Sequence, residues 1–122
     1  MDRTNPFSLN TFFGYRINGM YFFFSAVPPV IEGDADTAHS RQVVAGNSLI
    51  LECKAAGNPP PLLTWLKDRV PVKASDKLRV LAGGKQLEIL NAVEADQGQY
   101  WCVATSVAGE QEIKYDVEIL GV

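Results

Sequence analysis

A chain of 122 residues, 47% of them apolar, is long enough for one compact domain with a single core and too short for two. Eleven basic and fourteen acidic residues give a net charge of −3 and a pI near 5.0. With no basic block, nucleic acid and anionic membrane are poor partners. The two cysteines, Cys53 and Cys102, are too few and too far apart for a zinc site built from close ligand pairs.

Residues 1–27 differ in composition from all that follows. The six phenylalanines, Phe7, Phe12, Phe13, Phe22, Phe23 and Phe24, all lie there. Asn10, Gly14, Arg16, Asn18 and Gly19 interrupt the apolar stretch. Its best run, residues 20–27, is short for a signal-peptide core and far too short to cross a bilayer. Asp2 cancels the charge of Arg3, and Ser25-Ala26-Val27 is a weak cleavage site. Residues 21–26 (YFFFSA) can be encoded by a pyrimidine-rich run ending in CAG, the pattern of a translated intron 3′ end. Residues 1–25 are then expected to come from intronic or alternative first-exon sequence. The whole segment 1–27 is expected to stand outside the fold without fixed structure, with residues 28–122 as the domain. That domain holds nine basic and thirteen acidic residues.

From Pro28 onward the apolar period is two rather than 3.6. Pro28-Pro29-Val30-Ile31 reads as an extended edge segment, where a missing N–H does no harm. Residues 33–40 read as a polar loop and Ala45-Gly46-Asn47 as a turn. Leu49, Leu51 and Cys53 alternate with Ile50 and Glu52, and Gly57-Asn58-Pro59-Pro60-Pro61 breaks that strand. Leu63 and Trp65 point one way, Thr64 and Leu66 the other. Val70-Pro71-Val72 is a short edge piece. Residues 78–81 form a strand closed by Gly83-Gly84, and Leu87 and Ile89 alternate with Gln86, Glu88 and Leu90. Tyr100, Cys102 and Ala104 alternate with Gln99, Trp101 and Val103. After a turn at Ala108-Gly109-Glu110, Tyr115, Val117 and Ile119 alternate with Lys114, Asp116 and Glu118. At least seven short strands separated by turn signals predict an all-β fold of two antiparallel sheets packed face to face.

One segment is more specific than alternation. Residues 96–102, DQGQYWC, have the form Asp-x-Gly-x-Tyr-x-Cys. Gly98 allows a backbone conformation that a Cβ would resist. Tyr100, two residues before a cysteine, can turn its hydroxyl back onto upstream backbone as a tyrosine corner. Asp96 can fix the turn by a hydrogen bond or ion pair, with Arg79 the expected partner. Cys53 and Cys102 are read either as buried thiols or as one bridge.

The series Cys53, Trp65, Leu87, Asp96, Gly98, Tyr100 and Cys102 resembles an immunoglobulin-like domain of the intermediate set (I-set). The resemblance covers residues 28–122. It implies a Greek-key β-sandwich with Cys53 and Cys102 joined across the sheets and Trp65 packed on the bridge. The opening Val27-Pro28-Pro29-Val30-Ile31, the Trp65-Leu66-Lys67-Asp68 segment and residues 104–110 resemble modules of tandem arrays. The whole resembles repeats of the hemicentin family of matrix proteins, although Ser106 stands where many relatives have Asn. The resemblance implies an extracellular setting within a larger protein, although titin-like intracellular domains share much of the pattern.

No catalytic set is expected. His39 is read as a solvated loop residue beside Ser40. Glu32, Asp34 and Asp36 share a loop but lack a closing bidentate ligand, so solvated charge is preferred to a calcium site. Neither metal nor cofactor is expected. Alternation sets Leu66, Trp101 and Val103 on the outer face of one sheet, a candidate protein-binding patch. The apolar stems of Lys67, Lys114 and Glu118 are candidates to cover it. Such a face suits homophilic immunoglobulin contacts or matrix and cell-surface proteins. The rival reading is a spacing module in a tandem array with no specific partner.

Overall fold

A computed structural model of the chain describes residues 11–33 and 39–121. Among them are eleven strands: β1 (Thr11–Ile17), β2 (Met20–Ile31), β3 (His39–Val44), β4 (Leu49–Glu52), β5 (Ala55–Asn58), β6 (Leu62–Lys67), β7 (Val70–Pro71), β8 (Leu78–Leu81), β9 (Gln86–Ile89), β10 (Gly98–Ser106) and β11 (Gly109–Leu120). Two single 3-10 turns, Ala82–Gly84 and Glu94–Asp96, complete the described elements.

The strands make two layers. One is the five-stranded sheet β3-β11-β10-β6-β7. The other combines β1-β2-β5 with β4-β9-β8, because β5 continues β4 across Cys53 and Lys54. Most pairings are antiparallel, as the alternation predicts. The exception is β3, which runs parallel to β11 from His39 opposite Tyr115 to Val44 opposite Leu120. The chain passes from the β1-β2-β5 layer at β2 to the five-stranded sheet at β3, and that change of layer sets the direction.

Alternation fills the space between the layers. Leu49 and Leu51 of β4 are buried while Ile50 and Glu52 are exposed. Leu87 and Ile89 enter from β9, Tyr100, Cys102 and Ala104 from β10, and Ile113, Tyr115 and Val117 from β11. Each fully buried aliphatic side chain of this kind contributes about 1.5–3 kcal/mol. At the centre Cys53 and Cys102 are bonded, with Cα atoms 6.3 Å apart and a sequence separation of 49. Trp65 lies opposite Cys102 in the β10–β6 ladder and is 3% exposed. Its indole N–H donates to the Gly84 carbonyl at 2.8 Å. Gly84 was legible only as a strand-end turn. A Cβ there would come within 3.0 Å of Leu63 Cβ, on a backbone at φ +97°.

The N-terminal region departs from expectation. Where residues 1–27 were expected to lack fixed structure, residues 11–26 form an antiparallel hairpin, and residues 1–10 lie outside the described residues. The boundary drawn at residue 28 falls within β2. Ala26 is fully buried, and Asn58 Nδ2 donates to the Ser25 carbonyl at 2.7 Å. Pro28 and Pro29 sit where β2 changes partner, from β1 through Ala26 to β5 from Val27, and the β5 register shifts there. A strand tolerates two residues without N–H groups at such an irregularity.

Removing the bridge as the double variant Cys53→Ala and Cys102→Ala is expected to cost about 4 kcal/mol, the chain-entropy value for a loop of this length. Urea unfolding of the oxidised parent and of the variant measures the difference.

Candidate functional site

The motif residues 96–102 build one end of the sandwich. Tyr100 is fully buried, and its hydroxyl donates to the Asp96 carbonyl at 2.5 Å, which makes the tyrosine corner. Burial, then the nearby charges of Asp96 and Asp68, push its ionisation well above the ordinary tyrosine value. The Asp96 carboxylate accepts the Val93 N–H at 2.8 Å. Its cationic partner is Lys77, with Nζ 2.6 Å from Oδ2, and not Arg79 as expected. Lys77 also donates to the carbonyls of Leu90 and Asn91, so one ammonium gathers three acceptors from two turns. Arg79 sits inside β8 opposite Glu88 and is exposed. A second hydroxyl tie went unread in the sequence: Tyr115 of β11 donates to the Glu52 carbonyl of the facing layer.

Leu66, Trp101 and Val103 share the outer face of the five-stranded sheet. Trp101 lies directly opposite Leu66 on β6 and Lys114 on β11; Val103 lies opposite Thr64 and Glu112. All three are half-buried. The cover over the Trp101 ring is Arg69, its guanidinium 4.0 Å from the ring centroid, together with Lys114 at 5.2 Å. Of the other expected covering stems, Lys67 turns to the Tyr100 ring and to Asp68, and Glu118 accepts from Gln42. The Trp101 indole N–H is buried and lacks an acceptor among the described residues. Leu62 extends the apolar row on the same face and is 72% exposed. Along β11 the face carries Glu110, Glu112, Asp116 and Glu118 around Lys114.

A turn holds Arg69 in place. Asp68 (φ 49°) and Arg69 (φ 72°) are both left-handed, which gives the tight link between β6 and β7 without the usual glycine. The Asp68 carboxylate accepts the Gln99 N–H at 3.1 Å and pairs with Lys67 at 3.3 Å. A Cβ on Gly98, whose φ is +148°, would meet both Asp68 carboxylate oxygens at 3.0 Å. Gly98 is thus needed for its close approach to Asp68 as well as for its own conformation. The Gln99 hydrogen bond, then Lys67, hold the Asp68 carboxyl below its ordinary value of 3.8.

The remaining candidate residues do not converge. His39 opens β3 instead of lying in a loop, half-buried with its ring centroid 5.7 Å from that of Tyr115. Glu32 pairs with Lys54, and Asp34 and Asp36 lie outside the described residues. Among the described residues no group of three or more His, Cys, Asp or Glu could hold a metal ion, and no helix is long and apolar enough to cross a membrane.

A bridged sandwich with a core tryptophan and a tyrosine corner defines a class. The family model of the immunoglobulin I-set domain matches residues 35–119, and the chain belongs to that family. Hemicentin-1 of Mus musculus is 70% identical over 94 residues, 77% of this chain, and hemicentin-1 of Homo sapiens is 67% identical over the same share. The chain is a hemicentin-like immunoglobulin repeat, and it spans about 2% of the length of these relatives. Among solved structures, a titin M10–obscurin-like 1 immunoglobulin complex aligns with a TM-score of 0.68 and 30% identity, covering 77% of this chain and 95% of that one.

Lys77→Met is expected to cost about 1.5–3 kcal/mol by leaving a carboxylate and two carbonyls without their charged donor. Arg79→Met is expected to stay within about 0.5 kcal/mol. Chemical unfolding of the two variants side by side separates the two assignments. The Asp68 carboxyl titrates lower when folded than when unfolded, so its contribution is full above the unfolded pKa and fades as pH falls through the folded one. Asp68→Asn is expected to flatten the loss of stability below about pH 4, read from urea midpoints across an acid series.

Proposed function

We propose that the chain is a non-catalytic protein-binding module of an extracellular multi-domain protein, docking through the outer face of the five-stranded sheet. The observation that carries this reading is the row Leu62, Leu66, Trp101 and Val103 with an indole N–H left unpaired. A buried donor without an acceptor costs about 1–3 kcal/mol. A partner carbonyl would relieve that cost, with Arg69 and Lys114 swinging off the ring. The acidic positions along β11 favour a partner surface with basic residues beside an apolar centre. The disulfide suits an oxidising compartment, and the likeness to hemicentin-1 supports a matrix or cell-surface setting with immunoglobulin domains among the partners.

The second reading is a spacer within a tandem array. It is favoured by the small share of its relatives that the chain spans. The two readings differ at Trp101. If the face docks, Trp101→Ala is expected to weaken association with a partner immunoglobulin repeat at least tenfold while the melting temperature moves by no more than about 4 °C, equivalent to roughly 1 kcal/mol. Binding unchanged by the substitution, or lost only together with the fold, would favour the spacer.

A further inference from the structure

Among the described residues the β1–β2 hairpin has an open edge. Asn18 (φ 53°) and Gly19 (φ 79°) form a two-residue turn of type I′. Residues flanking such a turn exchange both main-chain hydrogen bonds, and bonded pairs then alternate along the ladder. The bonded pairs are therefore Ile17 with Met20, Tyr15 with Phe22, Phe13 with Phe24 and Thr11 with Ala26. The N–H and C=O groups of Phe12, Gly14 and Arg16 point away from β2, and among the described residues β1 pairs with no other strand.

Two other edges, β7 and β8, carry protection of the kind that discourages pairing between chains. β7 is two residues long and holds Pro71; β8 is four residues long and carries Arg79. In contrast, β1 is seven residues long, has no proline, and pairs with β2 in unbroken register. Its single charge is Arg16. The hairpin tip also exposes Ile17, Met20 and Tyr21, each more than half open to solvent.

We propose that β1 is a docking edge for a second copy of this chain, through antiparallel β1–β1 pairing centred on Gly14. A two-fold interface requires a surface complementary to itself. In this register Gly14 faces Gly14 and Phe12 faces Arg16, so every outward main-chain group meets its complement in about six hydrogen bonds. Moving the centre one residue either way loses one of the three bonded pairs. Moving it to Arg16 sets like charges opposite each other, which is destabilising. Gly14 is thus the centre that uses the whole edge and keeps the two Arg16 side chains apart. This surface is separate from the Trp101 face, so either can fail without the other.

Sedimentation velocity of the full chain across the micromolar range, with amide hydrogen exchange at low and high concentration, tests the pairing. The expected result is a monomer–dimer equilibrium in which the Gly14 and Arg16 amides exchange at least tenfold more slowly as the dimer fills. Gly14→Pro removes an outward N–H that β2 does not use, and Gly14→Glu sets like charges at the two-fold centre. Both are expected to weaken the dimer at least tenfold with the unfolding midpoint of the sandwich unchanged, whereas Trp101→Ala leaves this dimer intact. A monomer throughout, a dimer that survives both Gly14 variants, or Gly14 exchange independent of concentration overturns the proposal.

Discussion

The bond between Cys53 and Cys102 is the constraint on which the rest of the sandwich depends. It fixes the spacing of the two layers at one point, and the largest core side chain is placed against that point. Trp65, opposite Cys102 in the ladder, is held by its hydrogen bond to the Gly84 carbonyl. Gly84 in turn has no room for a Cβ because Leu63 lies beneath it. A covalent tie, an indole and a glycine therefore form one unit, and Tyr100 and Tyr115 fasten its two ends by hydroxyl bonds to main-chain carbonyls. The outer face is tied to this unit, because Trp101 and Val103 flank Cys102 on the same strand.

Much of this was legible in the sequence, and for definite reasons. Period-two alternation is a direct imprint of a half-buried strand, so the inward set of β4, β9, β10 and β11 could be read residue by residue. The Tyr100 tie follows from spacing along one short segment. Features that depend on how turns fold back were not legible. Lys77 and Arg79 lie two residues apart, and only the path of the chain into β8 decides which one reaches Asp96. Arg69 reaches Trp101 because two non-glycine residues adopt left-handed backbone, which their identities do not announce. Strand β3 was hidden because His39, Ser40, Arg41 and Gln42 show little apolar alternation; its ladder with β11 supplies what its side chains do not. The hairpin at residues 11–26 was obscured because its apolar residues show no period-two alternation in sequence, although Asn18-Gly19 is a strong two-residue turn signal.

The candidate face shows how local strain and exposed chemistry are connected. Asp68 and Arg69 occupy backbone conformations disfavoured for residues with side chains. The Asp68 carboxylate, caught between the Gln99 N–H and Gly98, anchors the turn from one side. Arg69 over the Trp101 ring anchors it from the other. A change that freed Arg69 would uncover an indole and relax a turn in the same step, so the cover is coupled to the strand link that presents it.

The parallel ladder between β3 and β11 has a consequence for load. In a tandem array, tension would reach β3 from its first residue once β2 had parted from β5, and β11 from its last. Two strands running the same way, drawn from opposite ends, are stressed along the ladder, and the hydrogen bonds from His39 to Leu120 share the pull at once instead of opening one after another. A module loaded this way would yield along the ladder by shear rather than by peeling, whether or not its outer face holds a partner.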